Sequence, residues 1–113
     1  MHEMSLAEGI LRILEDTARQ EAARRITRVT LEIGALANVE IEALRFCFDA
    51  AIRDTVAAAA QLDIRVLPGH GWCMPCGRTV PLAALADPCP QCGSFQVQAV
   101  GGMEMRIKEI EIE

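Results

Sequence analysis

The stretch GWCMPCGRTVPLAALADPCPQCGS constrains the chain most: Cys73 and Cys76, then Cys89 and Cys92, form two C-x-x-C pairs separated by twelve residues. Each pair can turn as a tight knuckle presenting two thiolates to one ion. Gly77 and Gly93, just after the pairs, supply the permissive backbone that such a turn wants. Four thiolates complete a tetrahedron and leave no position for water or substrate, so the spacing predicts structural Zn(II) rather than a catalytic ion. A rubredoxin-like iron centre uses the same knuckles; the short spacer and the scarcity of shielding aromatics favour zinc. The stretch has too little core of its own, so binding the ion and folding are one event.

The flanking sequence has to accommodate this insert. Ser5-Leu6-Ala7-Glu8 has the form of a capping box, and Leu6, Ile10, Ile13, Leu14 and Ala18 recur at three or four residues, predicting a helix from about Ser5 to about Arg25. TRVTLEIG alternates Val29, Leu31 and Ile33 against Arg28, Thr30 and Glu32, the pattern of a half-buried strand. Asn38 is the expected N-cap of a second helix carrying Leu44, Cys47, Phe48, Ala51 and Ile52 on one face, with the alanine run 57–60 at its end. LDIRVLPG alternates again, and MEMRIKEIEIE alternates through Met103, Met105 and Ile107 before a phase change at Lys108-Glu109 that a bulge would reconcile. The expectation is an α+β fold, a three-stranded sheet covered by two helices, with an inserted zinc-ribbon-like domain. Residues 1–68 plus 102–113 form the discontinuous host and 69–101 the insert.

Composition removes several classes. Of 113 residues 51% are apolar, but there are only three Phe, one Trp and no Tyr, so platforms for stacking on bases are scarce. The net charge is −5, nearer −7 once four thiolates hold a divalent ion, and no Lys/Arg cluster exceeds Arg24-Arg25, which argues against nucleic acid and anionic membranes. Five cysteines, four of them in metal-type pairs, and no signal-like or membrane-spanning run predict a cytoplasmic protein. No nucleophile pairs with a base and no phosphate loop is present, so the chain is not expected to be an enzyme. His70 reads as a loop residue with an open role near the first ligand, Cys47 as packing, and Met103 and Met105 as core or interface.

The N-terminal MHE offers a second donor set. A large second residue predicts that Met1 is kept, so the α-amine, the His2 amide nitrogen and its imidazole can close two chelate rings on one cation, with the Glu3 carboxylate or amide as a further donor. Nitrogen donors of this kind suit nickel or copper. The residues by themselves equally allow a solvated terminus.

MHE at the start, RVTLEIGALANVEIEALRFCFDAA in the middle, the cysteine quartet and the closing GGMEMRIKEIEIE resemble, in order and along the whole chain, the HypA/HybF family of hydrogenase maturation proteins. The quartet alone is shared by many zinc proteins; its combination with MHE and the LEIG and EALRF blocks is highly specific. The resemblance implies a nickel metallochaperone that works with a HypB-type GTPase to load the large subunit of NiFe-hydrogenase, some relatives also serving urease. It implies Ni(II) as cargo on His2 with Met1 and Glu3, structural zinc on Cys73, Cys76, Cys89 and Cys92, and a monomer or homodimer. The rival from another class is a regulatory or scaffolding zinc-ribbon protein without labile metal.

Overall fold

A computed structural model describes residues 2–113. Two helices and six strands follow in the order α1 (Glu3–Gln20), β1 (Ile26–Gly34), α2 (Ile41–Ala51), β2 (Gln61–Leu67), β3 (Gly69–Cys73), β4 (Arg78–Leu82), β5 (Val97–Gly101) and β6 (Met105–Ile112). They form two three-stranded sheets, β2-β1-β6 and β4-β3-β5. The fold is therefore α+β as expected, with a second sheet that the sequence pattern did not announce. No helix among the described residues is long and apolar enough to cross a membrane.

The chain divides into two compact units. The first comprises residues 1–31, 39–64 and 107–113, and the second residues 32–38 and 65–106. The unit around the cysteines extends beyond 69–101: it also takes in residues 65–68 and 102–106, the end of β1 and the turn after it.

In the first unit α1 starts two residues before Ser5, with His2 at its N-cap position, so the S-x-x-E motif lies inside the helix and caps nothing. The helix ends at Gln20, well before Arg25. Ala22 takes a left-handed backbone with φ 52°, and the Ala23 N–H donates back to the Ala18 carbonyl at 2.9 Å, a Schellman-type stop. The buried stripe is Ala7, Ile10, Leu14 and Ala18 with Glu3; Ile13, expected inside, is 50% exposed. A stripe spaced almost purely by four residues turns the inward face away from Ile13.

α2 packs against α1, and its Leu44 and Phe48 are fully enclosed. Asn38 is not its N-cap: Asn38 sits in a left-handed turn (φ 58°) and Glu40 occupies the cap position. The helix stops at Ala51 instead of running through the alanines. Thr55 Oγ1 donates to the Ile52 carbonyl at 2.6 Å and accepts from the Ala57 N–H at 3.1 Å, while Asp54 takes φ 60°, and these local bonds replace helical ones. Ile26, Val29 and Leu31 complete the core of this unit.

β1 is more enclosed than a simple alternation predicts, since Thr30 (6% exposed) and Glu32 (8%) are buried along with the aliphatics. Long charged side chains lie over it. Arg28 donates to Asp63 at 2.6 Å and stands 3.6 Å from Glu111, so one guanidinium joins all three strands of this sheet. In the second unit Arg106 pairs with Glu32 at 2.7 Å. Along β6 the burial changes phase at Lys108-Glu109, both exposed, before Ile110 turns inward, as the sequence pattern required.

Inside the second unit two segments close on each other through glycine. A Cβ on Gly34 would lie 1.9 Å from the Gly102 oxygen, and Gly102 itself has φ 92°. That close approach lets Gly34 donate to the Glu104 carbonyl at 2.8 Å and Leu36 to the Gly102 carbonyl at 2.7 Å.

Candidate metal centre

β3 delivers Cys73 at its last residue, and the chain then turns so that Gly77 N–H donates to the Cys73 carbonyl at 2.8 Å, with Gly77 at φ 63°. The second pair repeats the turn: Gly93 N–H donates to the Cys89 carbonyl at 2.8 Å, with φ 76°. A non-glycine residue would be strained at either position. Met74 N–H to the Gln96 carbonyl and Cys89 N–H to the Ser94 carbonyl, 3.0 and 2.8 Å, tie the knuckles to their surroundings.

All four sulfurs lie within 4.8 Å of one another, with Cys73 Sγ 3.6 Å from Cys92 Sγ and Cys76 Sγ 4.0 Å from Cys89 Sγ. These separations are far outside disulfide bonding. Four sulfurs placed about 2.3 Å from a central ion stand about 3.8 Å apart, so the cluster fits one tetrahedral thiolate-bound ion. Val80 and Val97 pack beside Cys73 and Cys89, leaving Cys92 as the exposed ligand.

The electrostatics of the bare cluster fit a cation. The neighbouring thiols Cys92 and Cys73, followed by burial, push the Cys76 thiol up to about 12, because crowded sulfurs cannot all be anionic. Cys73 is raised too: the Cys76 N–H favours its thiolate, but burial and the other thiols outweigh it. Burial opposes charge on Cys89 as well, yet the N–H groups of Cys92 and Gln91 hold it down to about 7, and the Gln91 nitrogen lies 3.3 Å from Cys89 Sγ. The peptide donors thus wait for thiolates that only a metal makes stable together.

His70 is exposed on β3 while Cys73, three residues on, is buried, so the two side chains lie on opposite faces of the strand. The cluster among the described residues is sulfur only. Cys47 is half-buried on α2; Met105 is half-buried on β6, and Met103, which precedes the strand, is 50% exposed.

At the other expected site, Met1 lies outside the described residues. His2 is exposed at the start of α1, its carbonyl accepts from Leu6 N–H at 2.9 Å, and its imidazole makes no capping bond. Glu3 differs: it is 3% exposed, and its Oε2 accepts the Glu40 N–H at 3.0 Å. That donor holds the Glu3 carboxyl below the usual carboxylate range against the opposing effect of burial. Oε1 of the same carboxylate is buried with no hydrogen-bond partner among the described residues. Glu40, at the N-cap position of α2, therefore lies beside the N-terminus. A separation of 37 residues hides such a pairing from any local pattern.

A family model described as hydrogenase/urease nickel incorporation, metallochaperone, hypA matches residues 1–112. The hydrogenase maturation factor HypA of Azoarcus sp. (strain BH72) is 59% identical over 112 residues, 99% of this chain and 98% of the relative. That of Dechloromonas aromatica (strain RCB) is 58% identical over 113 residues, all of both chains. Among solved structures, the nickel metallochaperone HypA of Helicobacter pylori superposes with a TM-score of 0.68 at 26% identity, covering 99% of this chain and 97% of that one. A second HypA solution structure superposes with a TM-score of 0.70 at 27% identity, over 100% of this chain and 97% of the other.

Proposed function

Because the chain belongs to the HypA family of hydrogenase/urease nickel-incorporation metallochaperones, we propose that it carries Ni(II) at its N-terminus and delivers it for hydrogenase maturation. The observation that carries the reading is the full-length family match together with an exposed His2 whose imidazole makes no capping bond. The proposed donors are the Met1 amine, the His2 amide nitrogen and imidazole, and Glu3. Since the Glu3 carboxylate is engaged with Glu40, its contribution is the amide nitrogen, one of the first N–H groups of α1 that no helical carbonyl takes.

Such a site suits cargo. It has few ligands, stands at a chain end and can open without disturbing a core, whereas the quartet encloses its ion. We assign the quartet to structural zinc, which supplies the cohesion that the three-residue sulfur-lined core of Cys73, Val80 and Cys89 lacks. Copper outbinds nickel on nitrogen donors, so correct delivery depends on partner contacts and metal supply rather than affinity. The partners in this reading are a HypB-type GTPase, which performs any nucleotide hydrolysis, and the hydrogenase large subunit. The chain itself acts by binding and release, in the cytoplasm.

Calorimetric titration with nickel tests the site. A His2→Ala variant is expected to lose at least about tenfold in affinity, a change of about 1.4 kcal/mol, with zinc content unchanged. A variant that binds like the parent would favour the scaffolding alternative.

A further inference from the structure

The two knuckles share the form C-x-x-C-G, yet their sulfurs meet solvent very differently. Cys73 is fully enclosed and Cys89 is 2% exposed, while Cys76 is half-buried. Cys92 alone of the four is exposed, on a turn whose Pro90, Gln91 and Gly93 are exposed as well. A Cβ built on Gly93 would meet no atom within 4 Å, so the space beside Cys92 is open. Oxidation of cysteine follows thiolate character and exposure, and zinc binding keeps its sulfurs as thiolates. Exposure therefore decides which of the four is attacked.

A sulfur oxidised at the surface needs a second thiolate within reach to go further. Cys73 Sγ stands 3.6 Å from Cys92 Sγ, against about 2.0 Å in a disulfide. The two belong to different knuckles, 19 residues apart in the chain. Cys89, which shares a knuckle with Cys92, already accepts the Gln91 N–H on its sulfur at 3.3 Å. That bond stabilises the Cys89 thiolate and makes it the weaker nucleophile. Cys92 is thus the sulfur to be attacked and Cys73 the one placed to resolve it.

We propose that Cys92 is an oxidation site and that the quartet is a peroxide-responsive zinc switch, with Cys73 as its resolving cysteine. Hydrogen peroxide is the oxidant. The Cys92 thiolate attacks one peroxide oxygen, the O–O bond breaks, and Cys92 becomes a sulfenic acid as hydroxide leaves. The Cys73 thiolate then attacks the Cys92 sulfur, the S–S bond forms, the S–O bond breaks, and a second hydroxide leaves. Two thiolates together lose two electrons, and the peroxide that gains them ends as two hydroxide ions. The two thiolates that remain are too few to retain zinc, and the unit built around the ion loosens. The first unit contains none of these cysteines and keeps its core. The inference rests on zinc in the quartet and not on nickel at the N-terminus.

The test treats the zinc-loaded native protein with hydrogen peroxide, follows zinc release with a chromogenic chelator and maps thiols and disulfides by mass spectrometry. The zinc and two of the quartet's thiols should be lost together, with Cys73 joined to Cys92. Dimedone present during the reaction should label Cys92 and suppress that disulfide. Cys47, half-buried on α2, and Met74, 63% exposed inside the first knuckle, gauge unselective oxidation and should still be reduced when the zinc has left. Dithiothreitol with added zinc should restore the starting state. The proposal is overturned if zinc stays bound while Cys47 or Met74 is oxidised, if the first disulfide joins another pair such as Cys76 and Cys89, if the label appears first on another cysteine, or if reduction fails to bring zinc back. Protein that holds no zinc before peroxide is added overturns the zinc assignment, and the switch with it.

Discussion

Glu3 is one residue from the exposed His2 yet almost wholly enclosed, and its carboxylate is spent on the Glu40 N–H. Its side chain therefore positions the start of α1, and in the proposed nickel site only its amide is left as a donor. Glu3→Gln keeps an acceptor oxygen for Glu40, so nickel affinity is expected to stay within a factor of about 3 of the parent. Glu3→Ala strands the Glu40 N–H and should lower the melting temperature as well. Calorimetry and thermal unfolding of the two variants distinguish an amide donor from a carboxylate donor.

At the scale of elements, the helix pair rests on Phe48 and Leu14, both fully buried. Phe48→Ala should destabilise the fold by about 3–5 kcal/mol in urea unfolding. The sheet of β2, β1 and β6 contributes a pH dependence. The side-chain bond from Arg28, helped by Gln61, holds Asp63 below its usual value. A depressed carboxyl stabilises the fold above its unfolded-state value, and that contribution disappears as pH falls through the folded-state one. Unfolding midpoints should therefore drop as pH falls below about 4, the unfolded-state value of an aspartate, and drop less in Asp63→Asn. Much of this level was legible beforehand. Alternation revealed β1, β2 and β6, helical spacing revealed α1 and α2, and the insert's return to the same sheet followed from their order. The helix ends were not legible, because the Ser5 box competes with an earlier start anchored by Glu3 and Glu40, a contact between distant residues. The second sheet was hidden too: GHGWC, RTVPL and VQAVG are five-residue strands with Gly or Pro, too short and too poor in large apolar residues for their alternation to stand out.

For the whole molecule, the proposed function gives one chain a closed site that holds a unit together and an open terminus that exchanges its ion. Chelation of zinc should unfold the cysteine unit, seen as a change in Trp72 emission next to Cys73. With the Cys76 thiol at about 12 in the bare cluster, zinc binding must release protons, and zinc affinity should rise with pH through the neutral range. The quartet was readable from spacing alone, and the nickel assignment came from the match along the full chain, since two or three terminal residues cannot specify a metal. Calorimetric nickel titration of the native protein beside a form with one residue added before Met1 is the most direct test. The addition preserves every native side chain and moves only the amine. The terminal-chelate account predicts a loss of at least about tenfold in affinity with zinc retained; unchanged affinity would contradict it.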